Sequence, residues 1–190
     1  VDDATQYIIA LQACLLTLNP GEDSYRGWSE IILYPDEFLR DLEEIDEAGV
    51  VHRSRDILVG ESWHGGPLVL SIADVETSGQ ADGVNVVIHE FAHNIHLRGL
   101  VRVDPTFDKR LKNTYQKAMQ AGLWKGKYAA TNHHEYFAEG VQSWFDNNRE
   151  NDHDHNHVNT RAELTDYDPR LASLCKEVFG DTEFRYTKPA

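Results

Sequence analysis

The sequence predicts an α+β fold in which a small mixed sheet is followed by packed helices. Three observations lead there. Short β-type runs cluster between residues 30 and 73. Capped helical segments fill most of the rest. Between the two regions stands a helical stretch carrying His89-Glu90-Phe91-Ala92-His93.

In chain order, residues 4–18 read as a helix stopped by Asn19-Pro20-Gly21, a turn-forming triplet. Residues 30–34 form a β-type run closed by Pro35. The acidic stretch 37–47 reads equally as a frayed helix or a loop. Residues 56–60 and 67–73 are apolar runs separated by Ser62-Trp63-His64-Gly65-Gly66, which signals a hairpin. Trp63 and His64 then either cap that hairpin or line a cleft. The segment 67–71 precedes the motif helix and is a candidate cleft-edge strand for pairing with an extended peptide, or else an ordinary core strand. Helices are further expected from Asp104-Pro105 to Gly122, over 132–146, and from Asp168-Pro169 to Gly180.

The motif helix carries the chemistry. Histidines four residues apart stack on one helical face, one turn apart, so both imidazoles can reach one metal ion. Glu90, between them, is placed to take a proton from a metal-activated water. With ten histidines in 190 residues, the pattern H-E-x-x-H should arise by chance roughly 0.04 times. Apolar neighbours place the motif on a half-buried helix over about 83–98, with Leu97-Arg98-Gly99 as its end and Gly99 as C-cap. The bland alternative is a pair of satisfied core histidines beside a surface glutamate.

Catalytic zinc needs a third protein ligand and a position left for water. The segment His133-His134-Glu135-Tyr136-Phe137-Ala138-Glu139 offers two carboxylates one turn apart, with Asn132 as N-cap. Spacing does not rank Glu135 against Glu139: one can bind metal while the other orients a ligand histidine. His96 lies on the same stripe as His89, yet about 10 Å farther along the axis. It would join the ligands only if the helix broke, and no glycine before His96 permits that.

On these residues the chain resembles the Mlc titration factor family of zinc-dependent peptidases. The matching segments are Leu11-Gln12-Ala13-Cys14-Leu15, Ile31-Ile32-Leu33-Tyr34-Pro35-Asp36, Gly66-Pro67-Leu68-Val69-Leu70 and Asn85-Val86-Val87-Ile88-His89-Glu90-Phe91-Ala92-His93. Tyr128-Ala129-Ala130-Thr131-Asn132-His133-His134-Glu135-Tyr136-Phe137-Ala138-Glu139 is similar both to that family and to the catalytic domain of anthrax lethal factor. The resemblance implies a zincin-like fold of the gluzincin type. It implies one Zn²⁺ per chain held by His89, His93 and Glu135, with Glu90 as general base and Tyr128 as active-site phenol. The reaction implied is peptide-bond hydrolysis. It also implies a different reading, a regulatory module that sequesters a transcriptional repressor, with weak or vestigial peptidase activity. Two departures stand out: Glu139 fits the lethal-factor pattern better, and His96 replaces a usually acidic residue. A structural zinc site is a further rival, and would need a fourth protein ligand.

At 190 residues the chain is expected to form a single domain, from which the family's N-terminal helical portion is missing. The net charge of −14, without a basic run, argues against direct nucleic-acid binding. The partner classes expected are a peptide or protein substrate and, by resemblance, a transcriptional regulator. No stretch is long enough to span a bilayer and no signal-peptide pattern is present, so the expectation is a cytoplasmic protein without membrane contact. Cys14 and Cys175 fit neither a disulfide framework nor a thiolate zinc site, and Cys14 is expected in the core. Residues 146–163 form a polar loop whose His/Asp-rich part, 152–157, is either a solvated loop, a loose second metal site or part of a lid.

Overall fold

A computed structural model describes residues 1–27, 30–45, 51–62, 66–79, 83 and 85–186. Helix α1 (Asp3–Thr17) begins where the Asp2 carboxylate accepts the Thr5 backbone N–H at 2.9 Å. It buries Thr5, Ile9, Gln12 and Leu16, a stripe at helical spacing. Cys14 lies off that stripe and is exposed, with Tyr7, Leu11 and Leu18, so the expectation of a core thiol is corrected. The helix is apolar on more than one face, and packing, not composition, chose which face to bury.

Five strands follow: β1 (Ile31–Tyr34), β2 (Phe38–Ile45), β3 (Val51–Leu58), β4 (Gly60–Ser62) and β5 (Leu68–Ser71). The acidic stretch read as frayed helix or loop is thus a strand, β2, paired antiparallel with β3 over Phe38↔Leu58 to Ile45↔Val51. The other three make a mixed sheet in the order β1-β5-β4. β1 and β5 run parallel, Ile31 opposite Leu68, while β4 pairs antiparallel with β5, Gly60 opposite Leu70. The hairpin was expected from 56–60, but 56–58 belong to β3 and Ser62, read as turn, is in β4. Strand β5 is therefore the middle strand, buried at every residue and paired on both sides. It has no free edge for a peptide, so the cleft-edge reading of 67–71 gives way to that of a core strand. The edge next to the motif helix belongs to β4. Trp63 and His64, expected in the hairpin turn, lie outside the described residues.

Ser71 caps α2 (Ile72–Thr77), and the motif helix α3 (Val86–Asn94) follows. α3 packs against α1, β4, β5 and a later helix, α6 (His133–Trp144). Every described residue from Asn85 to Leu100 is buried except His89 and Leu97, so the helix is central and not half-buried as expected. Nor does it end at Gly99. The chain continues through a π-helical turn (Ile95–Leu100) into α4 (Val101–Val103). Gly99 serves close packing instead of capping: a Cβ there would sit 2.7 Å from the Ser24 carbonyl oxygen.

Asp104 accepts hydrogen bonds from the Thr106 backbone and hydroxyl before α5 (Phe107–Gln120). α6 is followed by an irregular tract, by α7 (Arg161–Tyr167), opened by a Thr160–Glu163 capping box, and by α8 (Pro169–Phe179) with Asp168 as N-cap. Phe91, Phe107, Leu111, Phe137, Phe145 and Phe179 join strand residues Leu68 and Leu70 in one core. Asp168 is wholly buried beneath it, accepting from Trp124 Nε1 at 3.0 Å and the Tyr136 hydroxyl at 2.6 Å. None of the described helices is long and apolar enough to cross a membrane.

Candidate functional site

α3 and α6 each enter the site from a capped N-terminus. Asn85 Oδ1 accepts the Ile88 N–H at 2.9 Å, and Asn132 Oδ1 accepts those of His134 and Glu135 at 2.8 and 3.0 Å. These caps set the first turns, from which His89 and Glu135 project toward each other. His93 follows one turn after His89.

The three side chains converge. His89 Nε2 lies 3.0 Å from Glu135 Oε2 and 3.2 Å from His93 Nε2, and His93 Nε2 lies 3.3 Å from Glu135 Oε2. Two imidazole nitrogens facing each other cannot both hold a proton in the gap between them. A tetrahedral cation bonded at about 2.0–2.1 Å sets its ligand atoms about 3.3 Å apart. The observed triangle has those dimensions, so the trio could hold a metal ion. Among the described residues no fourth His, Cys, Asp or Glu joins it, which leaves without support here the structural-zinc rival that needs four protein ligands.

Charge follows the same geometry. Burial lowers the pKa of His89, but hydrogen bonds to Glu135 and Glu139 outweigh it and raise the value well above that of an ordinary histidine. Burial would raise Glu135, yet the two histidines hold it far below the usual carboxylate range.

Glu90, Tyr128 and His89 of the trio line one pocket of about 350 Å³, also bordered by Gly60, Gln142, Asn148 and His155. Glu90 is buried, one of its carboxylate oxygens lacks a hydrogen-bond partner, and burial raises its pKa against the pull of His93 and His89. Gly60 of the edge strand makes room for it: a Cβ there would sit 2.6 Å from Glu90 Cγ. Tyr128, in a short 3₁₀ turn (Tyr128–Ala130), is exposed as a residue, but its hydroxyl end is crowded by carboxylates. Burial first, then Glu135, Glu90 and Glu139, push the phenol above its usual range.

Glu139 stands behind the histidine pair, its Oε1 3.4 Å from His89 Nδ1. Although burial opposes it, His155 and His89 bring its pKa down to about 2. Asn148 Nδ2 donates to Glu139 at 3.0 Å, and His155 Nε2 lies 3.4 Å away. The far nitrogen of His155 bonds Asp152 at 2.8 Å. Within the polar tract His155 faces the pocket, while Asp152, His153, Asp154 and His157 are exposed, as in a solvated loop. Asp152 ties down the Asp154 and His155 N–H groups, while Asp154 O accepts the Tyr128 N–H at 2.8 Å. Among the described residues, none of its side chains joins a group able to hold a metal. Its end at 163 is also corrected, because α7 starts at Arg161.

Sequence reasoning missed Gly60, Gln142, Asn148 and His155. Only His155 had a signal, the His/Asp density at 152–157. His96 lies outside the trio. The helix does not break before it but widens into the π-helical turn, and His96 Nε2 turns to Asp108 at 3.1 Å.

Residues 1–164 match the model of a family described as glucose-regulated metallo-peptidase M90. The chain is similar to proteins named Mlc titration factor A: 38% identical over 98 residues to that of Cronobacter sakazakii, covering 52% of this chain and 37% of that protein. To that of Escherichia coli O7:K1 it is 42% identical over 90 residues, covering 47% and 34% respectively. The alignments thus take in little more than a third of those relatives' length. With the family model matched over most of its length, the chain belongs to the glucose-regulated metallo-peptidases M90.

Proposed function

We propose that the chain is a zinc-dependent peptidase in which His89, His93 and Glu135 hold one Zn²⁺. The observation that carries this reading is the triangle of ligand atoms with edges of 3.0–3.3 Å. Two imidazoles and one carboxylate suit zinc, and three protein ligands leave a position open. Zn²⁺ held there would supply Lewis acidity, bringing the pKa of a water to about 7 and drawing charge from the scissile carbonyl.

The chain's own residues do the rest. Glu90 takes a proton from the attacking water as the new C–O bond forms, then returns it to the amine nitrogen as the C–N bond breaks. Its raised pKa suits both halves of that exchange. The Tyr128 hydroxyl donates to the oxygen that becomes negative, a contact worth about 3 kcal/mol in comparable roles. Glu139 Oε1 lies 3.4 Å from His89 Nδ1, beside the Gln142 amide nitrogen at 3.1 Å, and would accept from Nδ1–H in a zinc-loaded chain, leaving Nε2 to ligate. Strand β4, an edge strand among the described residues, stands beside Glu90 and could pair with an extended substrate.

The test is metal analysis together with hydrolysis of chromogenic peptide anilides. Glu90→Gln should keep its zinc and lose turnover, whereas Glu135→Ala should lose the zinc itself. Activity that survives in Glu90→Gln removes Glu90 as the base.

The relatives' name supports a second reading, in which the chain binds the Mlc regulator and peptidase activity is secondary. A zinc-loaded chain that binds Mlc but cleaves no peptide would favour it.

A further inference from the structure

A second convergence of ligand-type side chains lies farther along the seam between the motif helix and α6. His96, wholly buried in the π-helical turn, meets Asp108 from the first turn of α5 and His133 and His134 from the first turn of α6. His96 Nε2 and His133 Nε2 each lie 3.1 Å from Asp108 Oδ1. The other nitrogen of His96 faces His134 Nδ1 at 3.4 Å. One ligand atom from each of His96, Asp108 and His134 lies within 4.8 Å of the others.

We propose that His96, Asp108 and His134 form a second site for a divalent transition-metal ion, with His133 in reach as a further ligand. Imidazoles with a single carboxylate favour Zn²⁺ or Co²⁺ over Mg²⁺ or Ca²⁺, which prefer all-oxygen shells. The backbone contributes as well. π-helical turns are rare and gather at functional sites, and this one holds His96 against α6 on the stripe that carries His89 one heptad earlier. The Asp108 side chain is half exposed, which gives an ion a way in and the carboxylate freedom to close on it.

A metal here would clamp the π-helical turn and α5 to the first turn of α6, the turn that carries Glu135. A network of protons can satisfy the same contacts, and metal counting separates the two. The whole chain is stripped with a chelator and titrated with Co²⁺, read by its d–d absorption, and with Zn²⁺, read by calorimetry. Wild type should bind a second equivalent beyond the one assigned to His89, His93 and Glu135. The His89→Ala/His93→Ala variant should keep that second equivalent, and adding Asp108→Asn or His134→Gln should weaken it by at least about tenfold. In the otherwise wild-type chain, Asp108→Asn should reduce binding from two equivalents to one. The proposal is overturned if the folded double variant, checked by circular dichroism, takes up no Co²⁺. It is equally overturned if Asp108→Asn leaves the wild-type stoichiometry unchanged.

Discussion

Gly60→Ala probes the proposed base without touching a metal-holding residue. A Cβ at this position would lie 2.6 Å from Glu90 Cγ, 2.9 Å from Glu90 Oε1 and 2.7 Å from Val86 Cγ2. Comfortable carbon contacts are about 3.5–4.0 Å, so roughly 1 Å must be found. Val86 is β-branched, in the first turn of a buried helix, and cannot rotate away cheaply. The Glu90 side chain is the softer partner and should move. Overpacking of this kind costs about 1–3 kcal/mol, and a misplacement of about 1 Å at a reacting group costs about a hundredfold in rate. The expected result is a kcat/KM on peptide anilides about a hundredfold lower, with zinc content unchanged and Tm lower by about 2–12 °C. Activity within about threefold of wild type, alongside the lower Tm, would refute the reasoning: either Glu90 is not the base, or β4 yields instead of the carboxylate.

Asn132→Ala should cost about 1 kcal/mol in denaturant melts, because the His134 and Glu135 N–H groups lose their acceptor. It should also weaken zinc binding, measured by chelator competition. Asp168→Ala strands the Trp124 N–H and the Tyr136 hydroxyl and removes the α8 cap, so urea unfolding should show a loss of about 3–5 kcal/mol. Asp104 has a depressed pKa, about 2 against 3.8, through hydrogen bonds to Thr106 and then Arg110. Its contribution is complete above about pH 4 and fades as pH falls through about 2. The Tm gap between wild type and Asp104→Asn should therefore be constant near neutrality and close in strong acid.

Local patterns were readable wherever the information is local. The four-residue spacing of His89 and His93 puts both on one face in any α-helix, and Asn132, Asp168 and Gly180 mark helix ends through contacts made within a few residues. An antiparallel partner for 67–73 was legible too, but its residues were not: 60–62 pair with β5, while 56–58 pair with β2. The acidic run 37–47 was not legible, because its apolar residues Phe38, Leu39, Leu42 and Ile45 do not alternate as in a strand; β2 exists because β3 pairs with it.

Long-range packing decided the rest. Glu135 and Glu139 share one face of α6, and only the crossing of α3 over α6 sets one carboxylate among the Nε2 atoms and the other behind His89. Whether β5 is an edge or a centre depends on β1, thirty-odd residues away, docking parallel to it. Cys14 faces outward because the Thr5–Leu16 stripe, not its own, meets α3. His155 reaches Glu139 because a tract without helix or strand is tied down by Asp152 and by the Tyr128 backbone. Periodicity sets which residues share a face. Which faces meet is set by burial across the whole chain, where apolar area and buried carboxylates must be satisfied together.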